Sequence, residues 1–164
     1  MKKYFLFIVI VALTVSDCAG VPKQNLKNSL QVNQIENEYF SLILTPKCTD
    51  NLIVGFDLTI RNKTNKDIEI DWDKTLFIDD SQTNGRFWYK GVSYTGRYNS
   101  RPPDIVFAKS TLKRTIWPTN LIEFRRGKCN HIPMDAGEHG IYLRTRINGN
   151  EINEKVTFDF SAVK

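Results

Sequence analysis

The chain has 164 residues, enough for one ordinary domain and too few for two. Hydrophobic residues make up 41% and charged residues 25%, which excludes a chain disordered by composition and a protein of many membrane spans. Lys plus Arg is 23 against 18 for Asp plus Glu, and a net charge of +5 is too mixed to mark a nucleic-acid binder. With 2 histidines and 3 cysteines, there is little material for a metal or nucleophile site, and neither a cofactor nor a catalytic set is expected.

The first segment reads as an export signal. Lys2 and Lys3 form a positive start, and Tyr4 to Leu13 is an unbroken apolar run. A bilayer-spanning helix needs roughly 20 residues, so this run has the proportions of a signal-peptide core. Val15-Ser16-Asp17-Cys18 then resembles the lipobox of bacterial lipoproteins. In that family the cysteine is lipidated and becomes the new N-terminus. The resemblance implies a signal peptide over 1–17, a lipid on Cys18 and attachment to a membrane. Asp17 departs from the family pattern, which has a small residue there, so cleavage after Ala19 or Gly20 and an uncleaved anchor stand as alternatives. Ala19 after the cysteine is similar to the sorting signal of outer-membrane lipoproteins. Two or more acyl chains, at roughly 0.8 kcal/mol per buried CH₂, hold a protein stably on a membrane.

Residues 19–36 are rich in Asn, Gln and Lys and show no sustained period. Residues 18–37 are therefore expected to form a flexible tether, with the folded domain over 38–164. From Tyr39 onward apolar residues alternate with polar ones, the period of strands with one buried face. The pattern predicts about eight strands, over 38–45, 53–61, 66–72, 75–79, 86–95, 111–117, 139–147 and 151–160. Asn62 to Lys66 reads as a hairpin connection, and Asn148-Gly149 and Asn84-Gly85 carry the type I′ hairpin signal. Residues 125–140 read as a long loop, and no internal stretch has a helical period of useful length. Short strands spaced by turns indicate an all-β protein, and an immunoglobulin-like antiparallel sandwich is the expected fold.

Gly55 to Ile68 gives a strand, an Asn-Lys-Thr turn and a second strand. Together with the run from Trp72 to Pro103, this is similar to small extracytoplasmic Ig-like domains of bacterial lipoproteins. The resemblance spans roughly residues 38–160 and implies a fold and a cell-envelope location. It carries no catalytic residues. Asp135 to Leu143 is similar to the corner of such sandwiches where a tyrosine hydroxyl ties a loop down.

Two cysteines remain beyond Cys18. In an exported chain, Cys48 and Cys129 are most simply read as a disulfide, which would be worth about 4.5 kcal/mol by chain entropy. Free thiols and, remotely, a metal site with His131 and His139 are the other readings. Asp71, Asp73, Asp79 and Asp80 lack the spacing of a calcium loop. The two histidines are expected in an exposed loop.

The most unusual stretch is Ser81 to Pro103, which has aromatics and cations but no acidic residue. Arg86, Trp88, Lys90, Tyr94, Arg97 and Arg101 are the candidate ligand-binding residues. Aromatic faces supply stacking area, and cations suit anionic ligands. The competing reading is a hairpin with some rings in the core, in which Phe87 and Tyr89 face one way and Trp88 the other. Lys109, Lys113, Arg114, Arg125, Arg126 and Lys128 read as a solvated face. The expected function is a non-enzymatic envelope module that binds or assembles, with a membrane through its lipid and an envelope glycan or protein as partners. Nucleic acid is not expected as a partner. The alternative is a structural subunit of an envelope complex that uses its sheet edges.

Overall fold

A computed structural model of the protein describes residues 32–50 and 52–160. The expected signal peptide 1–17, the lipidation site Cys18 and most of the expected tether lie outside the described residues. Strands β1 (Asn33–Glu36), β2 (Phe40–Thr49), β3 (Leu52–Asn62), β4 (Ile68–Ile70), β5 (Leu76–Asp79) and β6 (Gln82–Tyr89) come first. They are followed by β7 (Asp104–Val106), β8 (Thr111–Pro118), β9 (Ile122–Arg125), β10 (Lys128–His131), β11 (Gly137–Ile147) and β12 (Asn150–Phe160). A 3-10 turn at Thr119–Leu121 is the one helical element among the described residues.

Every strand pairing is antiparallel. One layer runs β1-β2-β3-β8 and ends on the last residues of β6. The other begins on the first residues of β6 and runs β5-β11-β12. Further along β11 the place of β5 is taken by β4, with β7 outside it. The alternation seen in the sequence builds the interior. Phe40, Leu42 and Leu44 of β2 and Phe56, Leu58 and Ile60 of β3 meet Ile141, Leu143, Val156 and Phe158 of the other layer. Phe56 stacks on Phe158 with centroids 5.9 Å apart and meets Phe87 edge-on at 6.4 Å. The protein is thus an all-β antiparallel sandwich consistent with the immunoglobulin-like class.

Strand β6 belongs to both layers. Its first part pairs with β5 up to Arg86 opposite Leu76, and Phe87 then pairs with Pro118 of β8. The register shifts between Leu76 and Ile78, where two residues of β6 face one of β5. Gly85 sits in that bulge with φ +84°, a left-handed conformation that costs glycine little. The Asn84-Gly85 hairpin signal therefore marks the bend that transfers β6 between layers. The actual turn before β6 is Asp80-Ser81, with φ +47° and +65°. Asn148-Gly149 does form the expected type I′ turn, with φ +50° and +79°. The Asn62 side chain is buried and organises the connection after β3. Its amide donates to the Lys66 carbonyl at 2.7 Å and the Val106 carbonyl at 3.0 Å, while its Oδ1 accepts from the Thr64 N–H at 2.9 Å.

Each of the eight expected strands has a counterpart, and the differences have physical causes. β1 lies inside the expected tether. Its four residues pair with Ser41 to Leu44, an edge too short to show a period. The expected strand 86–95 stops at Tyr89, because Gly91 turns the chain with φ +103°. The expected loop 125–140 contains β10 and the turn of a two-stranded β9–β10 hairpin. The expected disulfide is not formed, and Cys48 and Cys129 are free and exposed. The first lies near the end of the β2–β3 hairpin and the second opposite Phe124 in the β9–β10 hairpin.

Neither histidine is an exposed loop residue. His139 is 3% exposed, in β11, and stacks between Phe77 at 5.9 Å and Phe160 at 5.6 Å. Its Nε2 lies 2.9 Å from the Asp135 carbonyl, and Asp79 Oδ1 lies 3.0 Å from Nδ1. The histidine ring thus ties the loop down, a role that a tyrosine hydroxyl has in the corner this segment resembles. Tyr142 instead has Arg144 over its ring at 5.8 Å. Nearby, the half-buried Glu138 carboxyl is pulled down to about 2, chiefly by its hydrogen bond from Ser81, with Thr157 and Lys155 adding to it.

Candidate aromatic and basic surface

The segment from Arg86 to Arg101 is anchored by its own arginines. Arg86 emerges from β6 and pairs with Asp73 at 2.8 Å, while its other nitrogen donates to the Tyr98 carbonyl. Asp73 also accepts from the Ser100 hydroxyl and from the Arg101 N–H at 3.1 Å. Burial alone would raise the Asp73 carboxyl, but hydrogen bonds from Ser100 and Arg101 and the Arg86 charge outweigh it and hold it below the usual carboxylate range. Arg101 donates to the carbonyls of Phe87 and Arg97 and lies over the Tyr89 ring at 5.2 Å. Both arginines therefore clamp the loop to the sandwich, and a ligand would have to displace those bonds to use them.

Trp88 is half-buried on the outer side of β6, as its phase requires. Its indole N–H donates to the Val92 carbonyl at 2.9 Å. Its ring meets Trp117 of β8 at 5.3 Å and His131 of β10 at 6.3 Å. His131 in turn stacks on Trp117 at 5.1 Å. This cluster fixes the β9–β10 hairpin against the outer face of the β8 layer, helped by the Ile132 N–H to the Leu121 carbonyl at 2.7 Å.

Farther along the loop, Arg97 donates to the Tyr94 carbonyl at 2.8 Å. Its guanidinium covers the Tyr94 ring at 3.7 Å and the Tyr98 ring at 4.5 Å, a cation–π pair of contacts. Tyr94 meets Phe124 of β9 at 5.2 Å. Tyr98 is 57% exposed and Phe124 51%. Lys90 is exposed at the start of the loop.

The structure thus brings Tyr94 and Arg97 together at the surface and assigns Arg86, Trp88 and Arg101 to holding the loop. It adds Tyr98, Phe124, Trp117 and His131, which the sequence reading left out of the site. Phe124 and His131 flank the Arg126-Gly127 turn, whose residues have left-handed φ of +52° and +77°, and the four-residue strands on either side are too short to show alternation in the sequence. The six cations read as one solvated face divide. Arg114 is held by Asp104 at 2.6 Å, while Arg125, Arg126 and Lys128 gather on the β9–β10 hairpin.

His131 makes the hairpin pH-sensitive. Burial pushes its imidazole below the usual histidine range, and its Nδ1 makes no hydrogen bond among the described residues. A histidine held neutral in the fold binds its proton first in the unfolded chain. The stability contributed by this group is fully present above about pH 6.5 and is lost as the pH falls through the lowered histidine value. His131→Phe should flatten that slope relative to the native chain in urea titrations at each pH. It should leave the loss below about pH 4.5, where Glu138 and Asp73 titrate, in place. An unchanged slope between pH 5 and 6.5 counts against this role.

Among the described residues there is no group of three or more His, Cys, Asp or Glu side chains placed to hold a metal ion, and no helix long and apolar enough to cross a membrane. No protein-family model matches the chain, and no curated protein matches it.

Proposed function

We propose that the protein is a non-enzymatic binding module of the cell envelope, lipidated on Cys18 and held by that lipid to a membrane, the outer membrane facing the periplasm. Its working surface is the aromatic and basic loop with the β9–β10 hairpin beside it, and its partner is an envelope glycan. The observation that carries this reading is the pair of half-exposed rings, Tyr98 and Phe124, set around Tyr94 and Arg97. Ring faces at that exposure offer stacking area to sugars, and arginine beside them suits an acidic group. The sheet-edge alternative has less behind it. The long edge strand β12 exposes Glu151, Asn153, Lys155 and Asp159, charged and polar residues of the kind that keep edges from pairing.

The test is co-sedimentation of the full-length protein with envelope polysaccharide, against a Tyr98→Ala/Phe124→Ala variant. The variant should keep its melting temperature and lose about tenfold in retention, since aromatic residues carry much of an interface's binding energy. Equal retention of both forms overturns the reading, as does recovery of one stoichiometric protein without glycan. Mass spectrometry of the mature N-terminus checks the anchor. A lipid on Cys18 is expected, and an unmodified start at Ala19, Gly20 or Val21 refutes it.

A further inference from the structure

The β9–β10 hairpin carries an arrangement that stability does not explain. Arg125 lies directly opposite Lys128, and Glu123 opposite Asn130. Like charges facing each other across a strand pair are destabilising. Glu123 compensates Arg125 alone, at 2.7 Å. Arg126 and Lys128 have no ion pair among the described residues, and Arg126 adds a third cation at the turn itself. Arg125, Arg126, Lys128 and Asn130 line one open cleft of about 540 Å³.

The lining tells against several occupants. Protein interface cores are apolar and aromatic, and this cleft has no apolar side chain. Insertion into a bilayer would need an apolar residue beside the cations. The nearest ring, Phe124, alternates to the other face of the hairpin and lies against Tyr94. What the cleft does offer is charge for an acidic group and, at Asn130, an amide that both donates to and accepts from a hydroxyl. Acid groups and hydroxyls occur together on acidic sugars.

We propose that this cleft is the anion subsite of the glycan-binding surface and that it takes the carboxylate or phosphate of an acidic polysaccharide. The inference rests on the glycan reading above and adds the chemical class of the glycan. Arg126 and Lys128 hold the acid group, Asn130 holds a hydroxyl, and the polysaccharide passes over the edge of the hairpin to reach the rings around Arg97 on its other face.

The experiment uses full-length protein in neutral detergent and four soluble probes: polygalacturonate, poly(glycerol phosphate), neutral dextran and polyglutamate. Calorimetry reads affinity, and a thermal melt reads folding. Binding of either acidic hydroxyl-bearing polymer, weakened by salt and stronger than binding of dextran, is the expected result. Arg126→Ala/Lys128→Ala should lower that affinity about tenfold and leave the melt unchanged or slightly raised, because it removes a like-charge opposition. Equal binding of dextran, or an unaltered affinity in this variant, overturns the anion subsite. Equal or tighter binding of polyglutamate overturns it in favour of an acidic protein partner. The Tyr98→Ala/Phe124→Ala variant separates the two levels. If it keeps native retention on envelope polysaccharide, the surface reading itself fails. If only the hairpin variant behaves as native, the subsite alone fails.

Discussion

Trp72→Ala is expected to lower the unfolding free energy by about 4 kcal/mol, near the upper end for a buried tryptophan. The ring is 1% exposed and packs against Tyr89 at 5.0 Å. Its indole N–H donates to Asp104 Oδ2 at 2.9 Å. The same carboxylate takes two bonds from Arg114, at 2.7 and 2.6 Å, and Arg114 lies over the Tyr89 ring at 4.9 Å. Trp72 follows β4, Asp104 opens β7 and Arg114 belongs to β8, so one cluster ties the two layers together. A graded pair of variants tests the account. Asp104→Asn keeps an acceptor for the indole but drops the ion pair, and should cost about 1 kcal/mol. Asp104→Ala leaves a buried indole N–H without its partner and should cost about 3 kcal/mol. Urea titrations measure all three. If Asp104→Ala costs no more than Asp104→Asn, the carboxylate is not organising the tryptophan.

The physics that made the fold readable is the same physics that left the site obscure. Strands such as β3 and β12 bury one face and wet the other, so Phe56, Leu58, Ile60 and Val156, Phe158, Phe160 announce themselves by alternation. That signal is local and survives any partner. β1 and β7, at 4 and 3 residues, are too short to alternate visibly and exist because neighbours offer them a ladder. The Asn84-Gly85 pair was legible as a left-handed site, yet a turn and a bulge place the same demand on glycine. Tertiary context, here the transfer of β6 between layers, decided which one formed. The site was harder still. The loop's composition singles it out as a candidate, but composition does not say which arginines are already engaged. Arg86 and Arg101 bond to backbone carbonyls and to Asp73, contacts that appear only once β6 and the loop are folded together. Phe124 lies far along the chain from Tyr94, and only the hairpin's docking brings the rings together.

Trp88→Ala divides the two readings of the aromatic run. A solvent-facing tryptophan leaves no cavity when truncated, and its loss should cost within about 0.5 kcal/mol. In the structure the ring is half-buried between Val92, Trp117 and His131, and its N–H has a backbone acceptor. The expected cost is therefore about 2 kcal/mol, combining lost packing with a carbonyl that must find a new donor. Lys90→Ala, at an exposed neighbour, should cost almost nothing and serves as the control. The variant should also loosen the hairpin, because His131 and Trp117 lose a shared wall. Amide exchange of residues 122–131 should then quicken while the β3 and β11 amides stay protected. A cost below about 0.5 kcal/mol with unchanged exchange would make Trp88 part of the open surface after all. A cost near 2 kcal/mol with quickened exchange assigns it to the wall that holds the aromatic and basic loop and the hairpin in register.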